Sequence, residues 1–127
     1  MLSVILPVML AAVIPFALTL ATKAKVFSGR DNRQTRVWQG QLTGWRQRAY
    51  WAHQNAFETF PLFASGVILA HLAAPGSAAA AALAWAYPVT RVGYSLCYVF
   101  DKAPLRSLVW FLGMGCIVGL FVVALAG

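Results

Sequence analysis

The first charged residue is Lys23, so residues 1–22 form an unbroken uncharged run rich in Leu, Ile, Val and Ala. About 20 such residues are enough for a helix to cross a hydrocarbon layer of roughly 30 Å. A cleaved signal peptide would carry its bases ahead of the apolar stretch, whereas here Lys23 and Lys25 follow it. Residues 59–90 and 107–127 are also free of formal charge. The first of these is too long for one helix, and Pro75-Gly76-Ser77 divides it with a turn signal. Asp101-Lys102-Ala103-Pro104 marks the next break. The pattern predicts helices over about 2–22, 43–74, 77–100 and 105–126, with a loop at 23–42, in one domain spanning 1–127. Composition agrees: at 61% hydrophobic and 10% charged, a chain this short has too much surface to hide its apolar excess in a soluble core. The expected class is an all-α integral membrane protein, a four-transmembrane-helix bundle. Pro7 and Pro15 fit such a bundle, where neighbouring helices absorb the kinks.

A net charge of +7 would by itself suit nucleic acid or an anionic surface. In a membrane protein it has a simpler source, the enrichment of cytoplasmic loops in Lys and Arg. Lys23, Lys25, Arg30, Arg33, Arg36, Arg46 and Arg48 fall in the segment from Lys23 to Arg48, which takes in the first connection and the start of the next helix, Lys102 and Arg106 in the segment from Asp101 to Arg106, and none in the hairpin at 75–77. An even helix count puts both basic connections on one side. The expectation is therefore a multi-pass protein of a bacterial-type inner membrane with both termini outside, in contact with lipid and not with nucleic acid. Trp45, Trp51, Trp85 and Trp110 lie near the proposed helix ends, where indoles favour the headgroup region. The run Ala78 to Ala82 and the pair Gly115 and Gly119 suggest close helix packing.

Polar residues at membrane depth need a reason. Arg91 lies about nine residues, or roughly 13 Å along the helix, from the basic end near Phe100. Glu58 sits in the run Ala56-Phe57-Glu58-Thr59-Phe60, and pairing between Glu58 and Arg91 is the natural expectation, whether to bind a ligand or simply to hold the bundle. Arg48, Trp51, Ala52, Asn55, Glu58 and Thr59 follow one another on one helical face. Arg91, Tyr94 and Tyr98 repeat at i, i+3 and i+7, and Arg106, Ser107 and Trp110 crowd the start of the last helix. Three helices thus aim cations, phenols and an amide at one depth, an anion-accepting pocket with aromatic walls. His53 and His71 are about five turns apart and cannot share a metal; each reads as an interfacial or packed side chain. Cys97 and Cys116 read as small hydrophobes. No metal-ligand cluster, Ser-His-Asp set or phosphate loop is visible.

The stretch from Gly44 to Phe63, with Asn55-x-x-Glu58 followed by Phe60-Pro61, resembles the signature of the membrane-associated proteins in eicosanoid and glutathione metabolism, the MAPEG family. Arg91-x-x-Tyr94-x-x-x-Tyr98 followed by Ala103-Pro104-Leu105-Arg106-Ser107 is similar to the third-to-fourth helix junction of an eicosanoid-forming member. The resemblance implies a homotrimer of four-helix bundles binding glutathione, as co-substrate, between neighbouring subunits on the cytoplasmic side. It implies Asn55 and Glu58, with Arg48 beside them, as helix-two contacts; Tyr94 and Tyr98 as helix-three contacts; and Ser107 with Arg106 on helix four. Arg91 corresponds to the family's buried base. Arg106 is implied as the catalytic residue, stabilising the glutathione thiolate that attacks a lipophilic electrophile or peroxide from the bilayer.

Trp51 stands where eicosanoid-forming members carry Arg, Gln54 where one of them does, and Lys23 and Lys25 where some use Arg. Lysine lacks the planar fork suited to a carboxylate. The compact chain is closest in form to the bacterial branch of the family. The expected function is a glutathione-dependent transferase or peroxidase; the alternative is a non-catalytic member using the same pocket for a lipid or carboxylate. A four-helix multidrug transporter would need an acid in its first helix, and residues 1–22 contain none.

Overall fold

The computed structural model describes residues 2–127. Four long helices carry it: α1 (Leu2–Lys23), α3 (Gly44–Ala73), α4 (Ala78–Val99) and α5 (Ala103–Ala126), with a short α2 (Thr35–Gly40) between the first two. α3 and α4 are the central pair. Each packs against both α1 and α5, while α1 and α5 do not meet among the described residues. The one-turn connections from α3 to α4 and from α4 to α5 make successive helices antiparallel. The ends of α1 and α4 and the starts of α3 and α5 therefore share one end of the bundle, here the loop end.

Among the described residues, three helices are long and apolar enough to cross a membrane: Val4–Lys23, Gly44–Ala73 and Ala103–Ala126. The sequence reading counts four spans, but α4 does not meet the same measure, because Arg91 and its tyrosines lower its mean hydropathy. Outward-facing side chains such as Val89, Phe111 and Leu125 are well exposed, as lipid-facing positions are. Between apolar helices in lipid the hydrophobic effect gives little, so the bundle depends on close packing. Phe63 and Tyr87 stack at 4.0 Å between centroids, joined in the core by Ala11, Val67, Ala84, Ile117 and Leu120. Of the two glycines singled out in α5, a Cβ on Gly119 would lie 2.9 Å from Leu83, while Gly115 faces open space. The close contact that matters nearer the site is Gly113, against Arg91.

The connection expected as an irregular loop is partly ordered. A 3₁₀ turn at Asp31–Gln34 leads into α2. Gln39, buried, donates Nε2 to Thr19 Oγ1 at 3.4 Å, and the Trp38 ring meets Phe27 edge-on at 4.9 Å. The first contact ties α2 to α1 and the second to the segment that follows α1. At the other turn, Asp101 adopts φ +57°, and Lys102 N donates to Cys97 O at 2.8 Å. That is the helix-ending arrangement usually given to glycine, which aspartate tolerates better than most residues.

Candidate functional site

Arg91 organises the polar interior. Its side chain is 2% exposed, and Nη1 donates to Asn55 Oδ1 at 3.0 Å. Nε and Nη2 are buried with no partner. The guanidinium lies 4.7 Å from the Tyr94 ring centroid and 5.3 Å from that of Tyr87. The expected Glu58–Arg91 ion pair is not formed among the described residues. Asn55 stands between them, accepting from Arg91 and donating Nδ2 to Glu58 Oε2 at 3.4 Å. The reason is geometric: Glu58 is one turn beyond Asn55 and exposed, whereas Arg91 enters the bundle at the level of Asn55. Thr59 Oγ1 donates to the Asn55 carbonyl at 3.0 Å and accepts from Tyr87 Oη at 2.8 Å. This chain fixes the helix turn that presents Asn55.

The remaining site residues divide between two faces. Tyr94, Tyr98, Arg106 and Ser107, with Trp110 and Phe111, line a cleft of about 240 Å³ on the α4–α5 face. Arg106 lies over the Tyr98 ring at 4.3 Å, and Tyr94 meets Tyr98 edge-on at 5.2 Å. Ser107 Oγ donates to its own helix, at Ala103 O, 3.3 Å away. Glu58 opens instead onto a larger cleft, about 700 Å³, between α1, α2 and α3. One copy of the chain therefore does not gather the sequence-selected residues into one pocket. Arg48 joins neither cleft; Nε and Nη2 donate to Tyr98 O and Val99 O at 3.0 and 3.1 Å, capping the end of α4.

The larger cleft holds residues that sequence reasoning passed over. Lys23 and Arg36 line it along with Thr19, Gln39, His53 and Gln54. Arg36 had been accounted for by loop topology alone, and Lys23 also as standing where some family members use Arg. The signal that could have found them is Val37-Trp38, an apolar pair in a polar loop, which marks a docked helix carrying Arg36. His53 is packed as expected, stacked on Tyr50 and edge-on to Phe57. Its Nδ1 is 2.7 Å from Pro15 O; since a carbonyl only accepts, Nδ1 carries the proton. No group of three metal-capable side chains occurs among the described residues.

A guanidinium shut inside apolar helices and linked through one amide to a carboxylate is rare at membrane depth, and with three described helices long and apolar enough to cross a membrane it marks an integral membrane protein. The MAPEG family profile matches residues 1–126, and the chain belongs to the MAPEG family. Membership places it among the membrane proteins of eicosanoid and glutathione metabolism. Searches among curated proteins and among solved structures gave no match.

Proposed function

We propose that this protein is a glutathione-dependent transferase or peroxidase acting on lipophilic electrophiles drawn from the membrane, assembled as a homotrimer of four-span subunits. The observation that carries the reading is the separation of the two clefts. Glu58, Lys23 and Arg36 lie on one face, Tyr98, Arg106 and Ser107 on another. Two copies placed side by side bring complementary halves together, as the glutathione site between MAPEG subunits requires. The donor set suits the tripeptide: cations for its carboxylates, Glu58 for its ammonium, and phenols around the thiol. α4 crosses as the fourth span because its one charge, Arg91, faces the bundle and not lipid. The basic loop end faces the cytoplasm of a bacterial-type inner membrane, with both termini outside.

Arg106 is the catalytic residue of this reading. A thiol of reference pKa about 8.5 becomes a better nucleophile when a nearby cation favours its thiolate, and a shift of about two units takes about 2.7 kcal/mol. The thiol proton leaves to solvent. With an aryl halide, the sulfur–carbon bond forms as halide departs; with a peroxide, the thiolate sulfur takes the outer oxygen as the O–O bond breaks and alcohol leaves after protonation, and a second glutathione thiol then displaces that oxygen as water to give the disulfide. Trp51 favours a second reading, a binding protein without turnover. It is exposed at 44% and 6.4 Å from Tyr98, at a position where eicosanoid-forming members carry Arg.

The test is glutathione binding to detergent-solubilised protein, followed by thiolate absorbance and turnover of an aryl halide. Binding with turnover, with thiolate lost in Arg106→Ala, supports the enzyme. Binding without turnover supports the second reading, a pocket that holds a lipid or carboxylate ligand without chemistry, and no binding at millimolar glutathione refutes the enzyme.

A further inference from the structure

Two opposite charges face the α1–α2–α3 cleft from different walls without neutralising each other. Arg36 comes from α2 and Glu58 from α3. Glu58 takes one long bond, from Asn55 at 3.4 Å, and no ion pair joins it to Arg36 or Lys23 among the described residues. The Lys23 ammonium is already engaged over the Phe27 ring at 4.4 Å. Arg36 is exposed and makes no side-chain hydrogen bond among the described residues, so its guanidinium is available to a ligand in the cleft. Its position is nevertheless set. Gln39, one turn on, is tied to Thr19, and Trp38 is packed on Phe27, so α2 is docked as a bracket that carries Arg36 to the cleft mouth.

A cleft with an unpaired cation on one wall and an unpaired carboxylate on the other is complementary to a zwitterion. Of common zwitterionic groups, the head of an α-amino acid places a carboxylate and an ammonium on one carbon, and a guanidinium fork binds the former by two parallel bonds. We infer that Arg36 is a specificity residue that grips the α-carboxylate of an amino-acid head whose ammonium lies at Glu58. This rests on the glutathione reading, in which that head is the γ-glutamyl end. It assigns to the α1–α3 connection a role in ligand choice, in addition to its topological one.

The experiment measures equilibrium binding of two probes to the full chain in detergent: glutathione, and the glutathione analogue lacking the γ-glutamyl α-carboxylate. Wild type should prefer glutathione by about tenfold or more, the worth of one charge-assisted contact. Arg36→Gln should abolish that preference by weakening glutathione alone, leaving the analogue within about twofold. Arg36→Lys should restore part of the preference, since it keeps the charge but not the fork. Arg33→Gln, exposed on the neighbouring 3₁₀ turn and away from the cleft, should change neither probe. The inference is overturned if Arg36→Gln weakens both probes alike, as a structural role would, if it weakens neither, or if Arg33→Gln matches it, as a diffuse field would. Failure of wild type to bind glutathione overturns the glutathione reading and this inference together; normal binding with any of the other outcomes overturns this inference alone.

Discussion

The Arg91 guanidinium has one hydrogen-bond partner among the described residues, and removing that partner should be worse than removing the arginine. In Asn55→Ala, a guanidinium 2% exposed loses its bond to Oδ1, and all three of its nitrogens are left unpaired. A hydrogen bond to a charged group contributes about 1.5–3 kcal/mol, so we expect a loss of about 2–3 kcal/mol on that scale. Arg91→Met loses the same bond and two ring contacts, together about 1–2 kcal/mol at partly desolvated sites. It also removes Nε and Nη2, whose unpartnered burial costs about 1–3 kcal/mol each. Arg91→Met should therefore be close to neutral or stabilising, while glutathione binding falls because Asn55 loses its orienting partner. In the Arg91→Met background, Asn55→Ala should cost less than about 0.5 kcal/mol, giving a coupling of about 2 kcal/mol for residues in direct contact. The assay is reversible unfolding in mixed micelles, titrated with denaturing detergent and followed by far-UV circular dichroism. Additivity of the two substitutions within about 0.5 kcal/mol, or an Arg91→Met protein markedly less stable than Asn55→Ala, would refute the reasoning.

Gly113→Ala should destabilise by about 1–3 kcal/mol, because its Cβ would lie 2.6 Å from Arg91 Nη2 and 3.0 Å from Thr90 Oγ1; the same unfolding assay should show the cost shrinking in the Arg91→Met background. Arg48→Ala removes both charged bonds to the end of α4 and should cost about 1.5–3 kcal/mol. Its loosened turn should displace Arg106 and lower transferase turnover, with Arg48→Lys recovering only part. Hydrogen bonds from Ser28 hold the Asp31 carboxyl below its ordinary value of 3.8. A depressed carboxyl stabilises above its unfolded pKa, so the turn ahead of α2 should keep its structure at neutral pH. It should lose that structure as pH falls below 3.8 through the folded value; Trp38 fluorescence reports this, and Ser28→Ala should raise the midpoint.

Helices were legible wherever apolar runs met turn residues, because length and charge are properties of the chain itself. Lys23, Pro75-Gly76 and Asp101 each stand at or beside an observed helix end. α2 was not legible: six residues cannot show a period, and what holds it is the reach of Gln39 to Thr19 and the packing of Trp38 on Phe27, a tertiary cause. Arg91 announced itself by depth, yet its partner was misjudged, because helical spacing gives the face of a residue and not the reach of its side chain. Glu58 has the charge, but Asn55 has the position. Arg48 misled for the opposite reason, a base on the right face whose guanidinium is taken by backbone carbonyls that no sequence pattern displays.

The division of the site follows from the packing order of the helices. α1 and α5 do not meet among the described residues, and the clefts follow: the groups of α1 and α2 that line one of them meet α3, and the groups of α5 that line the other meet α4. Asn55 and Arg91 form the polar link through the middle of one copy. Arg91 is too buried to serve either cleft as an open binding group, and its fixed guanidinium instead sets where Asn55, and through it Glu58, can stand. A ligand that touches Glu58 and Arg106 at once therefore cannot be held within one bundle by moving side chains alone. It requires either a rearrangement of the central helices, which the stacked Phe63–Tyr87 pair and the Tyr87–Thr59–Asn55 hydrogen-bond chain oppose, or a second copy of the chain. The second route leaves every core contact intact.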